Sequence, residues 1–324
     1  MSSSSEGRIR AVAGDVAPEK LGHTQCHEHI FLRKGPSFDV NPALCMDDYG
    51  KSLRELNDYR SAGGAAIVDA QPGGFGRDPE ILRRLSEDSG VNVVAVTGFH
   101  KLCFREPEDP LTEQSVSALT ERFCAEVAEG MRSPDGSRSP ARAGVVKCAF
   151  VPGGLADPIY RRLTEAAARA AAVTGAPLMV HTEPDTDVAE LLSFCGRFGV
   201  GPERMLICHL DRTRHDAAYH KTVLSEGCVL CYDSIHRYKY VSEEQELDLL
   251  HSVCDAGYDR QIVLSLDTTN QRLRAYGSPD MGLDYLLTVY RSTLEAHGFS
   301  AEIFRRMTVE TPARILRIQS QSEV

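Results

Sequence analysis

Short apolar runs recur along the chain, each followed by a stretch with helical spacing. The runs cover 21–27, 65–70, 91–97, 144–150, 177–181, 205–210, 228–232 and 262–267. They are rich in Val, Ile, Leu and Ala with little polar alternation, the pattern of strands covered on both faces. Segments such as 160–173, closed by Gly175, and 243–254, closed by Gly257, carry the 3.6-residue period and glycine stop of helices. Eight strand–helix alternations in 324 residues predict a single-domain α/β protein, a (β/α)8 TIM barrel. A doubly wound open sheet is the alternative, but the turn after the first run has neither a GxGxxG nor a P-loop. The segment 11–20 is expected to form a hairpin or lid over the lower end of the barrel. A loop rich in Ser, Pro, Gly and Arg, 132–143, precedes the fourth strand, and 300–318 reads as a closing helix. The domain then spans 8–318, between a disordered serine-rich tail, 1–7, and a polar tail, 319–324.

Polar residues placed on these strands change the picture from fold to chemistry. His27 and His29 form a His-x-His at the C-terminal end of the first strand, where side chains two apart share a face. Lys147 interrupts a very apolar fourth strand. His181 ends the fifth strand, His209 the sixth and Asp267 the eighth. A barrel gathers side chains from the C-terminal ends of its strands into one site. Singly, each has a structural explanation: a hydrogen-bonded histidine, an edge-strand lysine, a helix-capping aspartate. Together they make a metal-ligand set. An ammonium has no lone pair for a metal, but burial favours the neutral amine. That amine can add CO2 to become a carbamate, whose two oxygens can bridge two cations.

Composition narrows the partners. The net charge of −10 argues against a nucleic-acid backbone as ligand. No run of about 18 apolar residues suggests a membrane span. The N-terminus lacks a secretory signal pattern, so ten unevenly spaced cysteines fit a cytoplasmic, reducing setting better than a disulfide framework. Strand alternation turns Cys26, Cys148 and Cys208 toward the helices as small apolar groups, and turns Glu28 outward as a structural residue. His215, His220, His251 and His297 are expected at the surface. Asp211, two residues beyond His209, is expected to face inward and to orient a ligand or substrate.

The stretch Gly22-His23-Thr24-Gln25-Cys26-His27-Glu28-His29 resembles the opening motif of the phosphotriesterase family of the amidohydrolase superfamily. Val146-Lys147, Val180-His181-Thr182, Cys208-His209-Leu210-Asp211, Ser265-Leu266-Asp267 and Thr311-Pro312-Ala313-Arg314 extend the resemblance over nearly the whole chain. It implies a TIM-barrel hydrolase with two divalent metal ions, usually Zn2+ as isolated. His27, His29 and Asp267 would hold the buried metal, and His181 and His209 the outer one. Carboxylated Lys147 would bridge them together with a hydroxide. Asp267 would be both ligand and proton acceptor.

Substrate transfers less directly than the metal set. The organophosphate-degrading members carry a His–Asp proton relay; the matching positions here are Ser234 and Arg212. Lactonase members place a Tyr after the third strand, where this chain has His100. The seventh strand is followed by Arg237 and Lys239 and the eighth by Arg272 and Arg274, in loops where barrels often hold phosphate. This resembles the branch that hydrolyses phosphorylated sugar lactones. A lactonase acting on a small anionic substrate is therefore expected, with no nucleic-acid or membrane partner and with a homodimer left open. A phosphoesterase or cyclic-amide hydrolase using the same centre is the alternative, and a catalytically inactive binding barrel is the rival of another class.

Overall fold

The computed structural model describes residues 7–319. Two short strands, β1 (Ile9–Ala11) and β2 (Gly14–Val16), pair antiparallel as a hairpin. The hairpin sits under the barrel: the Val12 amide donates to the Val93 carbonyl at the start of the third barrel strand. Eight parallel strands follow, each separated from the next by helical segments. They are β3 (His23–Glu28), β4 (Gly64–Asp69), β5 (Asn92–Gly98), β6 (Ala143–Phe150), β7 (Leu178–Thr182), β8 (Met205–Cys208), β9 (Val229–Tyr232) and β10 (Ile262–Leu264). Each pairs with its sequence neighbour, giving the (β/α)8 barrel that the apolar runs predict. Gly7 and Gln319, placed in the tails by sequence, are tied in: Gly7 N donates to Ile318 O, and Gln319 N to Gly175 O. The rest of both tails lies outside the described residues.

Two apolar shells hold the fold. Alternate residues such as Val68, Val96, Val145, Met179, Leu206, Val229 and Val263 fill the barrel interior, and the residues between them pack outward against the helices. Helices begin where a side chain can accept from the first turn. Asp157 accepts from the amides of Ile159 and Tyr160 ahead of the helix Pro158–Thr174, which ends at left-handed Gly175.

The seam between the last and first barrel strands is closed largely by side chains. The His27 amide donates to Ser265 Oγ at 2.9 Å, and the Asp267 amide to the His27 carbonyl at 3.1 Å. Glu28 reaches across with both oxygens, accepting from Leu266 N at 2.7 Å and Thr268 N at 3.1 Å. Glu28 is thus structural, as its place between the histidines suggests, and its partners flank Asp267 on both sides.

The strand-alternation rule fails for two cysteines. Cys148 does face the helices, but Cys26 and Cys208 lie in the interior shell beside Cys231. In β3 the register slips between Gln25 and Glu28, so one extra residue is inserted and both Cys26 and His27 turn inward. After β8, His209 takes a left-handed φ of 71°, which brings it to the barrel mouth although Cys208 before it already points in. His220 is also not at the surface. It is fully buried, its Nδ1 2.7 Å from the Tyr232 hydroxyl and its Nε2 2.9 Å from the Arg214 carbonyl.

Candidate metal centre and active site

The C-terminal ends of the strands open into a cavity of about 530 Å³. His27, His29, His100, His181, His209 and Asp267 line it, with Arg212, Arg237, Lys239 and Arg272 at its walls and rim. His29 Nε2 lies 3.4 Å and His27 Nε2 3.8 Å from Asp267 Oδ1. The ligand atoms of these three buried residues all fall within 4.8 Å of one another. The histidine rings continue as a chain, with centroids 4.6 Å apart for His27–His209, 4.5 Å for His181–His209 and 4.7 Å for His100–His181.

At His27 burial is outweighed by Cys208 and the Asp233 carboxylate, which raise the imidazole to about 10; elsewhere in the cluster burial decides the protonation. It lowers His29, pushes His181 down to about 4, and holds His209 and His100 well below the usual imidazole range. Neutral imidazoles with free lone pairs are what a divalent cation requires. Burial alone would raise the Asp267 carboxyl, but Arg237 and Arg212 outweigh it and hold it well below the carboxylate range. Lys147 is completely buried and its ammonium is disfavoured by desolvation; Nζ donates to the Ala70 carbonyl at 2.6 Å. Neutral imidazoles at His29, His181 and His209 around an ionised carboxylate, above a depressed lysine, fit a divalent metal centre, and a cation bound at His27 would displace that ring's extra proton.

Two of these residues carry backbone strain. His209 and Asp267 are non-glycine residues with φ of 71° and 48°. Such conformations cost on the order of 1–3 kcal/mol each and persist only where the surroundings enforce them. Here the Glu28 clamp and the barrel seam do so for Asp267. The strain aims both side chains into the mouth.

The predicted cations take different places. Arg237 lies at the site, its Nη1 3.3 Å from Asp267 Oδ2, with a further hydrogen bond from Nη2 to the Asp267 carbonyl. Lys239 is exposed at the rim, its Nζ 4.7 Å from the centre of the Tyr240 ring. Arg272 borders the cavity but spends its guanidinium on the carbonyls of His236, Ile235 and Leu266, tying together the loops after β9 and β10. Arg274 turns away from the cavity to Asp284, at 3.1 Å. Asp211, expected to face inward, is buried but does not line the cavity; its Oδ2 accepts from the Ser234 amide at 2.7 Å and so braces the end of β9.

Sequence reasoning places Arg212 only as a departure from the proton relay and assigns no role to Asp233 or Glu183. Arg212 donates to Asp267 Oδ2 at 2.7 Å and is the shortest of that carboxylate's ion pairs. Asp233, directly after β9, sits against both His27 and His209. Glu183 holds His181 Nε2 at 2.7 Å and Lys101 Nζ at 2.8 Å. An acid directly after a barrel strand was the available signal for Asp233.

A histidine–aspartate centre at the C-terminal mouth of a (β/α)8 barrel defines a barrel hydrolase. The Phosphotriesterase family pattern matches residues 7–316, and the chain belongs to that family. It is 31% identical over 323 residues to a phospho-furanose lactonase of Mycoplasmopsis synoviae, covering 95% of this chain and 91% of that one. A lactonase of Listeria monocytogenes superposes with a TM-score of 0.87 at 27% identity, over 97% of this chain and all of the other. The phosphotriesterase homology protein of Escherichia coli, solved with phosphate in its active site, gives 0.83 at 27% identity, over 92% and 99% of the chains. Among the described residues, no helix is long and apolar enough to cross a membrane.

Proposed function

We propose that this hydrolase opens a lactone ring, with a phosphorylated sugar lactone as the preferred substrate. The observation that carries the reading is the cationic wall formed by Arg212, Arg237 and Lys239 directly over the His/Asp cluster. The candidate ligand groups lie at the bottom and positive charge at the walls and rim, a layout suited to a substrate with a reactive carbonyl at one end and an anion at the other. The relatives named as lactonases support it.

His27, His29 and Asp267 would hold one divalent cation and His181 and His209 a second, with Zn2+ the first choice for such donors. Lys147 as a carbamate would add an anionic ligand to the centre, its neutral amine forming an N–C bond to CO2 and releasing one proton. Two bound cations would supply an activated water and a polarised carbonyl at neutral pH. Asp267 would accept a proton from the attacking water as its oxygen bonds to the lactone carbonyl carbon, and would return that proton to the ring oxygen as the ring C–O bond breaks. Arg212 and Arg237 keep Asp267 ionised and aimed while it waits. Lys239 meets the substrate's anionic end, and His100, packed on His181, forms the apolar side of the cavity together with Phe104.

The test is hydrolysis of sugar lactones, with and without a terminal phosphate, by metal-loaded enzyme followed by acid release. Phosphorylated lactones should show kcat/KM at least about tenfold higher, and Lys239→Ala should erase that preference by raising KM. Equal turnover of the two sets removes the phosphate from the proposal. No lactone turnover alongside cleavage of a phosphoester or cyclic amide overturns it.

A further inference from the structure

Asp233 is completely buried and belongs to neither predicted ligand set. Its two oxygens go to two different histidines. Oδ1 is hydrogen-bonded to His209 Nδ1 at 2.7 Å, and Oδ2 faces His27 Nδ1 at 3.2 Å as an ion-pair contact. His27 turns its other nitrogen, Nε2, toward Asp267. A neutral imidazole has a single N–H, so a ring that donates from Nδ1 must present a bare Nε2 lone pair. An ionised carboxylate only accepts, and it can accept from both rings at once. We infer that Asp233 is a positioning residue that locks His27 and His209 in the Nδ1–H form and thereby couples the two halves of the metal centre. The inference rests on the assignment of those histidines to two metals under the proposed function.

The physical consequence is specific. An asparagine at this position has one accepting oxygen and one donating NH2. The NH2 cannot face an Nδ1–H, so one of the two rings must switch to the Nε2–H form. That ring then carries a proton where its metal lone pair should be. A carboxylate that merely filled space would be replaced by the isosteric amide without such a switch.

The experiment compares zinc-loaded wild type with Asp233→Asn. Metal content is measured after dialysis against buffered Zn2+, and the histidine ring protons are assigned by 15N NMR. Wild type should hold two metals per chain and show Nδ1–H signals for both His27 and His209. The variant should lose one of those signals and bind one metal about 10–100-fold more weakly. Two tightly held metals in Asp233→Asn, or an Nε2–H signal from either ring in wild type, overturns the inference. The wild-type spectrum decides the tautomer even if the variant does not fold. Wild type that takes up no metal refutes the metal assignment itself, a different failure from full loading with no effect of the substitution.

Discussion

Replacing Glu28 by alanine tests the idea that the barrel seam, and not the ligands themselves, holds Asp267 in place. Glu28 is fully buried and accepts from Leu266 N and Thr268 N, the amides on either side of the strained Asp267. Burial raises its carboxyl to about 8, so at neutral pH it sits in the fold largely protonated and its bonds count as neutral ones. Glu28→Ala strands two buried amide donors, each costing about 1–3 kcal/mol, for a loss of about 2–6 kcal/mol at acid pH. The sign of the pH dependence is fixed. The unfolded carboxyl releases its proton near its ordinary value of 4.5, and the folded one only near 8. Wild-type stability from this group is therefore complete below 4.5 and declines as pH rises toward 8. The alanine variant lacks that slope, so its penalty should shrink by up to about 1.4 kcal/mol per pH unit within the window. Urea denaturation of metal-stripped wild type and variant at pH 5, 6.5 and 8 measures it. A penalty below about 0.5 kcal/mol at pH 5, or one that grows with pH, refutes the clamp.

Other perturbations separate folding from metal retention. Lys147→Met removes a buried amine whose charged form desolvation disfavours, so the metal-free fold should be no less stable, while metal per chain measured by elemental analysis falls below half that of wild type. Arg212→Leu breaks the 2.7 Å pair with Asp267 and should cost about 3 kcal/mol in metal-free protein. The cost should be smaller with Zn2+ present, because the cation neutralises the same carboxylate; equal penalties in both states would refute this. Gly98 has φ of 104°, and a Cβ there would lie 2.0 Å from the Lys147 carbonyl oxygen. Gly98→Ala should therefore cost at least about 2 kcal/mol and disturb the strand that carries Lys147, seen as a lowered melting temperature and reduced metal content.

Much of the molecule was legible in the residue pattern. Uninterrupted Val/Ile/Leu runs report strands buried on both faces, and eight of them with helices between leave few architectures. Convergence was readable because a barrel brings strand ends together whatever the loop lengths, so His27, His29, His181, His209 and Asp267 could be placed at one mouth by position alone. Orientation and partnership were not readable. Cys26 and Cys208 turn inward because a register slip and a left-handed residue break the period of two, and neither leaves a mark in composition. His220 is buried because Tyr232 and the Arg214 carbonyl satisfy its ring, although its segment reads as surface helix.

Charges divide along the same line. The sequence determined that basic residues follow the seventh and eighth strands. Only the tertiary structure decided that Arg237 turns to Asp267, that Arg272 binds carbonyls, that Arg274 leaves for Asp284, and that Arg212 joins the site. A long guanidinium goes to whichever carboxylate or carbonyl the fold places within reach. For Arg212 that is Asp267, 55 residues away in the chain. Asp233 shows the rule most plainly: its residue type was visible after a strand, but its role exists only because β3 and β8 deliver two histidines to the same carboxylate.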